Sequence, residues 1–400
     1  MRAFMPRLLA CFAGAALSLA TAATARADNC SSLPNPVYVA GSSAIKPFLA
    51  KVAAELATLA TPITVVYQGQ GSCTGVNYLT TTPVGTITGT GVIWDTTGAE
   101  VAGGCTLSLS GNTVDIGVSD VFATSCPGVT GLPADVSDFY GPVQAMTFAV
   151  PVQSTKTSIS AEAAYLVFGL GAAGEVSPWT DETLIHVRSE TSGTQQMIAT
   201  AIRVPAAKFK GKGHAKSGDV LADLVAAASS GHADDTLGIL AADYVDVNRS
   251  SVKSLAYQHF GQLCGYWPDS DVNAFDKANV RDGHYMIWGP LHMLTKTSGG
   301  NPVNPNAKVI IDYLSGAVDP TTFDLIMTEA KGGVVPDCAM RVRRDSEIGP
   351  LMSYMPARSC ECKFVKEATG AAPASCQTCA QDSECPAATP KCNYGYCEVQ

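Results

Sequence analysis

Histidine is scarce and scattered in this chain. His186, His214, His232, His259, His284 and His292 are its six copies, and no two lie three or four residues apart. No helix face therefore pairs two imidazoles, and the H-E-x-x-H metal-hydrolase motif is missing. A G-x-S-x-G nucleophile elbow is missing too, and no segment reads as a dinucleotide or P-loop fingerprint. Basic residues number 26 against 35 acidic ones, a net charge of −9, which argues against a nucleic-acid partner. Beyond the first two dozen residues no apolar run is long enough to span a bilayer. No repeat occurs at solenoid spacing. These absences disfavour a metalloenzyme, an α/β-hydrolase, a nucleotide-dependent enzyme and a membrane-embedded chain.

What is present begins at the N-terminus. Arg2 and Arg7 lead into the apolar stretch Leu8–Thr24, and Ala25-Arg26-Ala27 is an A-x-A cleavage pattern. Residues 1–27 are expected to be a signal peptide, with Asp28 as the mature start and the periplasm or the exterior as destination. Loss of Arg2, Arg7 and Arg26 takes the net charge from −9 to −12. A small anion remains a compatible ligand, because local donors and dipoles govern a site more than distant net charge does. Of the fourteen cysteines, Cys11 falls in the leader. Six lie in the body (Cys30, Cys73, Cys105, Cys126, Cys264, Cys338) and seven in the tail (Cys360, Cys362, Cys376, Cys379, Cys385, Cys392, Cys397). In an exported chain they read as disulfides, with an odd thiol left over. Cys376-x-x-Cys379 resembles half a zinc site, but no histidine follows His292, and no metal or cofactor is expected.

The body exceeds one ordinary core and predicts two lobes. Two extended apolar runs, Gly141–Val152 and Tyr285–Leu294, suit crossings between them. This places residues 28–140 and 291–356 in lobe 1, with a β-rich insertion at 81–112, and residues 141–290 in lobe 2. Residues 357–400 hold seven cysteines and too little chain for a core, so they read as a stapled module. The lysines of Ala206–Lys216 read as a solvated loop.

Four loops carry the chemistry. Strand Pro36–Ala40 enters Gly41-Ser42-Ser43-Ala44 ahead of a helical pattern over Ile45–Leu59. Strand Ile63–Tyr67 enters the glycine-rich Gly69–Gly75. Strand Val114–Asp120 ends in Ser119-Asp120. A fourth strand ends in Arg188, followed by Ser192-Gly193-Thr194 and good helix formers. A strand, a Gly/Ser turn and a helix start together aim backbone N–H groups at an anion. Arg188 adds a planar multi-donor cation.

These motifs resemble those of the phosphate-binding proteins of bacterial ABC importers. Gly41-Ser42-Ser43-Ala44-Ile45-x-Pro47, Tyr67-Gln68-Gly69-x-Gly71-Ser72, Ile116–Asp120 and Arg188-x-x-x-Ser192-Gly193-Thr194 carry the likeness. It implies an α/β, two-lobed periplasmic binding protein-like (type II) fold with a small disulfide-rich tail. It implies inorganic phosphate as ligand, held by Ser43, Ala44, Ser72, Asp120, Arg188, Ser192, Gly193 and Thr194. Glu190 would orient the arginine. The implied partner is an ABC permease, the implied state a monomer, and no catalytic residue is implied. An exported oxyanion binder or sensor whose tail docks a partner is the alternative, and a phosphoester hydrolase ranks last because neither Ser72 nor Ser192 has a histidine nearby in sequence. An ionised Asp120 would accept the proton that phosphate keeps and sulfate lacks.

Overall fold

A computed structural model describes residues 28–400, and the expected leader peptide lies outside these described residues. Eight strands form the spine: β1 Pro36–Gly41, β2 Thr64–Gly69, β3 Ile116–Ser119, β4 Val136–Pro151, β5 Ile185–Arg188, β6 Lys212–His214, β7 Leu237–Ala241 and β8 Trp288–Ser298. Their order is β6-β5-β7-β4-β8-β3-β1-β2, and two short strands at 252–254 and 301–302 flank the path. Each half repeats one pattern. Three parallel strands lie in the order second, first, third, and a long antiparallel strand closes the set. The long strands β4 and β8 pair with each other from Trp288↔Ala145 to Lys296↔Val136, with an irregularity between Pro290 and His292. Proline lacks the N–H that a ladder needs, so a break there is expected. This is the two-lobed, type II α/β arrangement anticipated above.

Local sequence explains the elements. In β1, Val37 and Val39 are buried, the period of two that seats one face of a strand. Helix α1 (Lys46–Ala57) has Pro47 in its first turn, where the missing N–H costs nothing. It buries Phe48, Leu49, Val52, Ala53 and Leu56, the spacing of a single helical stripe. Each such large side chain contributes roughly 1.5–3 kcal/mol. Helices α2 (Ser72–Thr80), α3 (Gly193–Ile202) and α4 (Ser217–Ser229) follow β2, β5 and β6.

Two expectations change. Ala206–Lys216 is not wholly a loop, because Lys212–His214 pairs in parallel with β5 as an edge strand. An edge strand needs one partner and tolerates lysine and glycine, so no apolar alternation announces it. The first crossing run starts earlier, at Val136. Its polar residues Ser137 and Asp138 pair with Thr295 and Leu294. The 81–112 segment is a ribbon of two-residue strand pairs, and Cys30–Cys105 ties it to the N-terminal turn.

Among the described residues six disulfides link twelve of the cysteines, and Cys264 is free and exposed. That is the chemistry of an oxidising compartment. The tail is anchored more firmly than an appendage. Cys338–Cys360 joins it to the body, and its helix α6 (Glu361–Thr369) packs on α5 (Leu325–Gly332). Phe364 is buried within the main core cluster, and Glu361 pairs with the buried Arg281 at 3.1 Å. Phe364→Ala should therefore lower stability by about 3 kcal/mol, the cost of emptying a core phenylalanine site, read as a lower urea midpoint. An unchanged midpoint would show the tail to be energetically separate.

Candidate functional site

In an open α/β sheet, ligands meet the loops beyond the carboxyl ends of parallel strands. Here β1, β2 and β3 deliver Ser42-Ser43, Ser72 and Asp120, while β5 and β6 deliver Arg188 and His214-Ala215. The two sets touch. Arg188 Nη2 donates to Ser43 Oγ at 3.0 Å, and the Cys73 N–H donates to the Thr191 carbonyl at 3.0 Å.

Asp120 is 2% exposed. Its Oδ2 accepts from Ser42 Oγ at 2.6 Å and from Ser72 Oγ at 3.0 Å. Its Oδ1 is buried with no partner among the described residues. Burial pushes the carboxyl above its usual range, against the hydrogen bonds of Ser42 and Ser72 and the positive charge of Arg188. Ser42 was missing from the residues expected at the site. Its side chain, rather than that of Ser43, reaches Asp120, and it also accepts from the Ala44 N–H at 3.1 Å.

Arg188 is equally enclosed. Nε donates to the His214 carbonyl at 3.2 Å, Nη1 to Ser217 Oγ at 2.8 Å and Nη2 to the Ala215 carbonyl at 2.8 Å. All of its partners are neutral, and among the described residues no carboxylate forms an ion pair with it. Glu190, expected to orient it, is exposed. The turn closed by Ser192 N–H to the Ser189 carbonyl leaves Glu190 at the surface, and the end of β6 takes over the role. Burial draws the arginine pKa down, yet a guanidinium stays charged at neutral pH.

Helix α3 brings its first turn to the same place. Ser192 is the N-cap and Thr194 is buried with Oγ1 unpartnered. Gly193 is required by contact: a Cβ there would lie 2.3 Å from Ser72 Oγ and 2.7 Å from Asp120 Oδ2. Gly71, with φ +102°, would place a Cβ 2.8 Å from the Thr191 carbonyl. The first N–H groups of α2 and α3 lack intrahelical acceptors and carry the positive ends of the helix dipoles. Cys73–Cys126 fastens α2 beside this cluster. All eight expected residues thus fall in or beside one interlobe cluster. Ser42, Ser217 and the His214-Ala215 backbone were not foreseen.

A second buried carboxylate was also missed. Asp243 follows the end of β7, as Asp120 follows β3, and that shared position was its signal. Gln144 Nε2 donates to its Oδ1 at 2.9 Å, and Oδ2 is unpartnered.

No protein-family model matches this chain, and no curated protein matches it in sequence. Remote likenesses to solved structures exist. One is described as a phosphate ABC transporter substrate-binding protein with bound phosphate from Clostridium perfringens, at 13% identity over 76% of this chain and 99% of that one, TM-score 0.49. Another is an ABC-type phosphate transport receptor from Vibrio cholerae, at 12% identity over 76% and 100%, TM-score 0.47. The reduced OxyR regulatory domain from Pseudomonas aeruginosa, at 12% over 70% and 98%, has a TM-score of 0.39. Likenesses this remote decide nothing about the ligand, which rests on the residues.

Asp243 also sets a pH dependence. Burial raises its pKa to about 8 from an ordinary 3.8. Between those values the folded state binds more protons than the unfolded state, so this group makes stability fall as pH rises, the loss being complete above about 8. Asp243→Asn should flatten that fall between about pH 5 and about pH 9, measured as urea midpoints. Parallel curves for the two proteins would show that Asp243 does not hold a proton.

Proposed function

We propose that this chain is an exported solute-binding protein that captures inorganic phosphate between its lobes and delivers it to an ABC permease. In this reading lobe 1 is residues 28–140 and 291–356, lobe 2 is residues 141–290, and residues 357–400 are a tail joined to lobe 1 through Cys338–Cys360 and to lobe 2 through Glu361 and Arg281. The observation that carries the reading is Asp120 Oδ1, a buried acceptor without a donor, set among groups that otherwise donate. Phosphate near neutral pH keeps a proton and can supply that donor; sulfate cannot. Arg188, Ser43, Thr194 and the helix N-termini supply the remaining donors; Ser72, whose one O–H goes to Asp120 Oδ2, has only its backbone N–H to offer. A sulfate oxygen facing the unpaired carboxylate would forfeit more than roughly 1–3 kcal/mol, hence at least about tenfold in affinity. Arg188 reaching Ser43 links ligand capture to lobe closure, since both lobes contribute donors to one anion.

Two measurements test this. Arg188→Ala should weaken phosphate binding by about 2–5 kcal/mol, roughly thirtyfold or more, seen as a smaller phosphate-dependent rise in melting temperature. A rise equal to wild type would sink the assignment. Asp120→Asn replaces a pure acceptor with a group that also donates, and should admit sulfate in competition against labelled phosphate. A sulfate-to-phosphate ratio that does not move would retire the proton-reading role.

A further inference from the structure

Histidines that lie apart in the chain meet on lobe 2. His186 on β5 and His214 on β6 project toward Asp223 on α4. His186 Nδ1 is 3.3 Å from His214 Nε2. Asp223 Oδ2 is 3.6 Å from the first and 3.4 Å from the second. Zinc bonds nitrogen and oxygen at about 2.0–2.1 Å, so two ligand atoms on a tetrahedron stand about 3.3 Å apart. Three protein atoms here already form such a face. Both imidazoles are buried, and Asp223 is partly exposed, which leaves a path for an ion and a water.

We infer that His186, His214 and Asp223 form a zinc site with two nitrogen ligands, one carboxylate oxygen and an open position for water. Lys212 Nζ lies 2.6 Å from Asp223 Oδ2, so a cation already uses the carboxylate. That lysine is more than half exposed. Exposed ion pairs contribute only about 0–1 kcal/mol, and its ammonium can swing into solvent when a metal ion takes the oxygen. A neutral imidazole offers one ring-nitrogen lone pair to a metal ion. Metal on His186 Nδ1 puts the ring proton on Nε2, a buried nitrogen with no partner among the described residues. Zinc-bound histidines usually satisfy that proton, so the site is expected to bind zinc roughly 10–100-fold more weakly than one with a complete second shell. It adjoins the anion cluster and shares His214 with it, because the His214 backbone carbonyl accepts from Arg188 Nε.

The test uses untagged full-length protein in phosphate-free buffer, with Cys264 alkylated so that its thiolate cannot compete. Zinc is titrated against a chromophoric chelator, and cobalt(II) is added separately to read coordination by visible absorption. Expected are one ion per chain and an intense visible cobalt band of a tetrahedral site. Asp223→Asn should weaken both metals at least tenfold. Lys212→Met, which removes the competing ammonium but no ligand, should tighten zinc at least threefold. An absence of one-to-one binding, metal binding that Asp223→Asn leaves unchanged, or weaker binding in Lys212→Met would each overturn the proposal. None of these readouts depends on phosphate recognition.

Discussion

A buried guanidinium held only by neutral partners is the constraint on which the interlobe cluster depends. Arg188 donates to two carbonyls and two hydroxyls, and among the described residues no carboxylate lies within ion-pair distance. Removing a cation from water is costly unless charge is supplied nearby. The nearest compensation comes from Asp120, whose field opposes the downward drift of the arginine pKa, while Asp120 is itself pushed up by burial. Each charge is solvated by the fold and neither fully neutralises the other. An anion entering between them would meet a preorganised cation on one side and an acceptor on the other. The two helix N-termini add to the positive side without adding a formal charge.

Close approach is what glycine supplies here. The first turn of α3 can rest on Ser72 and Asp120 only because residue 193 has no Cβ. The strand-turn-helix units are otherwise ordinary, and their power comes from two such units being opposed across the sheet. The repeated strand order in the two halves produces that opposition, since each half points the carboxyl ends of its parallel strands toward the other.

Cross-links hold the periphery of this arrangement. Cys30–Cys105 fixes the ribbon and Cys73–Cys126 fixes the helix that carries Ser72. The tail has three internal disulfides and a fourth to the body. Such links act largely by limiting the unfolded chain, which matters most for a tail with little core of its own. Phe364 and Glu361 extend the connection into packing and charge.

Sequence alone determined the α/β class, most strand and helix positions, and the four loops that meet between the lobes. These are local matters: a period of two or 3.6, a glycine or serine turn, a cap. It also made the thirteen cysteines beyond residue 27 an odd set, though not which one stays free. Only tertiary structure decided the rest. Glu190 turned outward because a turn after β5 faces solvent, and the carbonyls of His214 and Ala215 took its place because β6 pairs beside β5 in register. Ser42 rather than Ser43 reached Asp120, a choice made by the direction of a single turn. His186 and His214, 28 residues apart, became neighbours for the same reason of register. Backbone carbonyls and cross-strand partners have no sequence signature, because their identity depends on where another segment lies and not on the side chains they carry.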